Sequence, residues 1–121
     1  MADHVRVSRA ARIRVVLEGE TIVDTDRGYV VHEGGLPPRF YVPRDAVQAE
    51  LVAAELTGSC PWKGQWQNLD VIAGGKRVSS GAWAYDEVLP VTEPIKGFVS
   101  FYANKVDRII GEEGPAASSA G

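Results

Sequence analysis

The sequence predicts a mainly β domain with one short helix packed against one side. Apolar and polar residues alternate over most of the chain, as Ile13, Val15 and Leu17 do with Arg14 and Glu18, and a period of two marks half-buried strands. Short apolar runs are separated by segments rich in Gly, Pro and Asp, the punctuation of a meander of hairpins. Only the stretch after Pro43 spaces its apolar residues as a helix would.

The first strand pair is expected at residues 13–17 and 21–25, joined by a tight turn at Gly19-Glu20. Asp26-Arg27-Gly28 then turns into a third strand, residues 29–33. Gly34-Gly35-Leu36-Pro37-Pro38 breaks the pattern, since glycine permits unusual backbone angles and proline fixes the next ones. Phe40-Tyr41-Val42 is a short extended piece. Pro43 suits the first turn of a helix, and Val47, Leu51 and Ala54 share one helical face, so a short helix is expected from about Pro43. Its later part is equally compatible with a strand. Residues 65–72 and 77–85 read as two strands around the hairpin turn Ala73-Gly74-Gly75-Lys76. Residues 86–94, with Pro90 and Pro94, read as irregular, and residues 98–102 and 106–110 supply the closing strands. The expected total is seven to eight strands and one helix.

A chain of 121 residues is one domain by size. The expected boundaries are a flexible basic leader at 1–10, a single domain at 11–110, and a disordered tail at 111–121 (GEEGPAASSAG), too small and polar to bury its own surface. The arginines at 6, 9, 12 and 14 read as a solvated edge rather than an anion site. A net charge of −3 weighs against a general nucleic-acid binder. No apolar run is long enough to span a membrane, and the N-terminal residues lack the apolar stretch of a secretory signal. One cysteine cannot form an internal disulfide, which suits the reducing cytoplasm, the expected location. Cys60, His4 and His32 are too few for structural zinc, so neither metal nor cofactor is expected. Asp24-Thr25-Asp26 has a magnesium-like spacing, but it sits at a hairpin bend, where Asp is common for backbone reasons.

Four motifs in order, LPPRFYVPRD (36–45), CPWKG (60–64), AWAYD (82–86) and IKGFVSFY (95–102), make the chain resemble a small bacterial family catalogued as domain of unknown function 427, over about residues 13–110. It departs from that family's usual pattern just after CPWKG, at Gln65, Trp66, Gln67 and Asn68. The resemblance implies a β-tent, two antiparallel sheets meeting at an angle, as in methionine sulfoxide reductase B and the ligand-binding domain of cereblon. Many tents hold zinc on paired cysteines, and this chain lacks them, so the implied fold is a tent without its metal. The resemblance implies no activity.

The candidate site gathers around three tryptophans. With a symmetric register about Gly74-Gly75, Trp66 and Trp83 are cross-strand neighbours on one face, and Tyr85 lies one same-face step beyond Trp83. The patch reads either as core or as the aromatic wall of a pocket. The expected pocket has Trp62, Trp83 and Tyr85 as its wall, with Arg39, Arg44 and Lys63 anchoring a polar or anionic group. Tyr41, Cys60 and Asp86 complete the candidate set. Alternatively each arginine pairs with a local acid such as Glu33 or Asp45. The expected function is binding of a small molecule by a monomer or weak homodimer, because no complete nucleophile, base and orienting set is legible. An enzyme working through Asp86, Glu87 or Cys60, with His32 as the folded base candidate, and a protein-interaction module are the alternatives.

Overall fold

Strand β1 (Val5–Leu17) organises the first sheet, burying Ile13, Val15 and Leu17 while the alternate residues face outward. Its length lets it serve three antiparallel neighbours in the computed structural model, which describes residues 5–114. β2 (Glu20–Thr25) pairs with its second half, β3 (Tyr29–Glu33) with its first half, and the last strand with its middle. β4 (Arg39–Tyr41) adds to β3. The second sheet has the order β5 (Glu50–Cys60), β6 (Gly64–Ala73), β7 (Lys76–Val88), β8 (Val99–Phe101), and β9 (Arg108–Glu113) returns to β1. The fold is mainly β, a pair of antiparallel sheets. They are tied where β4 approaches β8: Val42 bridges Val99, and the Ser100 hydroxyl donates to the Phe40 carbonyl at 2.8 Å.

Three expectations need correction. Residues 5–10 are not a leader; they form the first half of β1, paired with β3, with Val5 and Ala10 buried and Arg6 and Arg9 exposed. Only residues 1–4 of that segment lie outside the described structure. Residues 111–113 likewise belong to β9, and the expected tail beyond 114 falls outside the described residues. The expected helix after Pro43 is a single 3-10 turn, Arg44–Ala46, followed by extended backbone at Val47 and then β5. An isolated helix this short is marginal, and here sheet bonds claim the backbone: Gln48 N–H donates to the Ile22 carbonyl, and Val47 bridges Val23. A second 3-10 segment, Pro90–Ile95, fills the stretch expected to be irregular.

Two clusters form the core. Val23, Val42, Val71 and Val99 centre the first, between the sheets. Tyr41, Trp83, Tyr85 and Ile95 centre the second. The β6–β7 hairpin joins them, and its register is not symmetric. Near the turn Val71 faces Val78, but beyond it Leu69 faces Ala82, so β7 carries two extra residues. Asp70 holds this bulge. Its carboxylate accepts from Ser80 N–H at 2.8 Å, with Ser80 at φ +49°, and from Arg77 at 2.8 and 3.0 Å. The Ser80 bond, then the Arg77 bond, holds the Asp70 carboxyl below its ordinary pKa.

Candidate functional site

The hairpin face brings three rings together. The bulge moves the pairing of Trp66 from Trp83 to Tyr85 and sets Asn68 opposite Trp83. A shift of two residues preserves the face, so Trp66, Trp83 and Tyr85 all line one cleft of about 620 Å³. Gly58, opposite Trp66, makes room for the indole: a Cβ there would sit 2.4 Å from the ring.

Trp83 and Tyr85 are only 8% and 4% exposed, so the core and pocket-wall readings of the patch meet in the same residues. The Trp83 indole donates to the buried Tyr41 hydroxyl at 3.0 Å, with the rings edge to face. Tyr102, just after β8, lies over Trp83 with centroids 4.5 Å apart, and its hydroxyl donates to the Asn68 side-chain carbonyl at 2.8 Å. Tyr41 supports the floor from beneath. Burial raises the phenol pKa of Tyr41, Tyr85 and Tyr102, so all three are neutral hydrogen-bonding groups.

Two cations reach the cleft by different routes. Arg39 shares its face of β4 with Tyr41, because side chains two apart point the same way, and it lines the cleft beside Pro37 and Pro38. It is exposed, and no carboxylate among the described residues forms a salt bridge with it. Lys63 comes from CPWKG, which proves to be the turn between β5 and β6: Cys60 faces Gly64, and Lys63 N–H donates to the Cys60 carbonyl at 3.2 Å. Gly64 sits at φ +131°, and a Cβ there would lie 2.0 Å from the Glu87 carbonyl, so this corner requires glycine. The Lys63 ammonium is buried at 8% exposure, paired with Glu33 at 2.5 Å and 5.4 Å from the Tyr85 ring centre.

The other candidates are elsewhere. Trp62 is 38% exposed on the tip of the same turn and does not line the cleft. Arg44 is exposed at the 3-10 turn and also lies outside it. Asp86 follows Tyr85 within β7, so alternation turns it away; with Glu87 it lines a second depression beside Gln65 and Gln67, which shares only Trp66 with the cleft. Cys60 packs beneath the rings, with its sulfur near enough to the Tyr85 hydroxyl to contribute to that group's raised pKa. His32 is paired with Glu113 at 3.1 Å. The acid expected to neutralise an arginine, Glu33, instead pairs with Lys63, while Asp45 pairs with Arg27 and Asp24 with Arg12. Sequence reasoning missed Tyr102, Asn68, Asn104 and the Pro37-Pro38 wall. Tyr102 closed an apolar run and was legible as an aromatic, but its place over Trp83 depends on β8 lying beside β7.

Chemically, the cleft offers aromatic and proline rings, neutral phenols and an exposed guanidinium. Among the described residues no group of three or more His, Cys, Asp or Glu side chains is placed to hold a metal ion, and no helix is long and apolar enough to cross a membrane. A family model described as Domain of unknown function (DUF427) matches residues 5–112. A search of curated proteins finds no match.

Proposed function

We propose that this chain, which belongs to the family described as Domain of unknown function (DUF427), binds a small polar or anionic molecule in the cleft between Arg39 and the aromatic hairpin. One observation carries the reading: an exposed arginine without a carboxylate partner among the described residues borders a concave, ring-lined space of about 620 Å³, within the size of small-molecule sites. Binding is favoured over turnover because Cys60, His32 and the Asp86–Glu87 pair do not share one site. A cytoplasmic monomer or weak homodimer with no nucleic-acid partner is part of the same proposal. A thermal-shift screen of small acids, phosphate esters and neutral polar compounds tests it. A compound at a hundredfold excess over its Kd stabilises by about 2.7 kcal/mol, a Tm rise of roughly 10 °C for a domain of this size. Trp83→Leu should abolish the shift. Hits that survive both Trp83→Leu and Arg39→Gln, or a screen with no hits, would contradict the proposal.

A further inference from the structure

The charges around the cleft narrow the class of ligand. Lys63 and Glu33 form an ion pair whose side chains are only 10% and 17% exposed, so the pair presents almost no net charge to the cleft. Arg39 remains, without a carboxylate partner among the described residues. No acidic side chain among the described residues lines the cleft. The net positive charge is therefore one. Around it the lining is rich in rings: half-buried Phe40, Trp66 and Tyr102, and the pyrrolidines of Pro37 and Pro38.

A polyphosphate carries several negative charges and needs several cations or a cradle of backbone N–H groups. The cleft supplies one guanidinium and a ring-lined wall. A planar monoanion fits both features: the ring system stacks on the aromatic wall, and one carboxylate or sulfonate meets the planar guanidinium fork. We propose that the cleft selects planar aromatic monoanions and discriminates against nucleoside polyphosphates. This inference rests on the small-molecule reading above and specifies its chemical class.

The test is tryptophan-fluorescence titration of the full chain with three probes: 2-naphthoate, the neutral analogue 2-naphthol, and ATP. The expected order is 2-naphthoate tighter than 2-naphthol by about tenfold, the scale of one charge-assisted contact, with no saturable ATP binding. Arg39→Gln should reduce 2-naphthoate to the affinity of 2-naphthol and leave 2-naphthol unchanged. Arg44→Gln, outside the cleft, should change neither. Equal affinity for the two naphthalenes, or ATP binding more tightly than either, overturns the class assignment while leaving a small-molecule site standing. Failure of all three probes together with an empty thermal-shift screen overturns both. An equal loss of both naphthalenes in Arg39→Gln, with an unchanged unfolding midpoint, also counts against the assignment, because the arginine would then be shaping the cleft rather than reading charge.

Discussion

At the scale of single residues, the buried polar contacts beneath the cleft have separable costs. Lys63 and Glu33 are each stranded when the other is removed, so Glu33→Leu should lose about 2–3 kcal/mol in urea unfolding, and adding Lys63→Met should recover much of that loss. Single and double variants with additive losses would show that the pair is not coupled. Tyr41→Phe removes the acceptor of the Trp83 indole in a fully buried setting and should cost about 1–3 kcal/mol. The tyrosines also set an alkaline limit. Burial raises the folded pKa of Tyr41 and Tyr85 above the ordinary value of 10.0, so the folded state keeps protons that the unfolded state releases. The stability tied to their neutral form is fully present below pH 10 and falls as pH rises past it, by roughly 1.4 kcal/mol per pH unit for each tyrosine. Tyr85→Phe should flatten that fall, and an unchanged alkaline slope in the variant would contradict the assignment.

At the scale of elements, the corner of CPWKG and the bulge of β7 do the positioning. Gly64→Ala puts a methyl group into the Glu87 carbonyl at a left-handed backbone position and should cost about 3 kcal/mol or more. Asp70→Asn removes the charge that gathers Ser80 and Arg77, so the variant should melt lower at neutral pH. The depressed Asp70 pKa gives stability present above the ordinary carboxylate range and lost as pH falls through the lower folded value. The difference between wild type and Asp70→Asn should therefore close in acid, and a difference that persists there would argue against this role. Strand periodicity made most elements legible, and parity made the aromatic face legible even though the register was off by two residues. The bulge was not legible, because its cause is a carboxylate–backbone contact specific to the folded hairpin. Nor was Asp86's turn away from the rings: with β7 expected to end at Tyr85, alternation could not be applied to it. The helix expected after Pro43 failed because β2 offers that backbone better hydrogen bonds than a short isolated helix can.

At the scale of the whole molecule, the claim is that two distant segments converge. The proline-stiffened approach to β4 and the tryptophan-bearing hairpin belong to different sheets, and the Val42–Val99 bridge and the Ser100–Phe40 bond bring them face to face. The sequence supplied the participants Arg39, Lys63, Trp83 and Tyr85, because arginine, lysine and aromatics are conspicuous near prolines and glycines. It could not exclude Trp62 and Arg44, since closeness in sequence to cleft residues does not decide which way a turn residue points. The most direct measurement is a ¹⁵N-HSQC titration of the full chain with 2-naphthoate, following the three tryptophan indole signals and the Arg39 and Tyr102 amides. The account predicts saturable shifts at Trp66, Trp83, Arg39 and Tyr102, with Trp62 unmoved. Shifts centred on Trp62 and Asp86, with Trp83 and Arg39 silent, would contradict it.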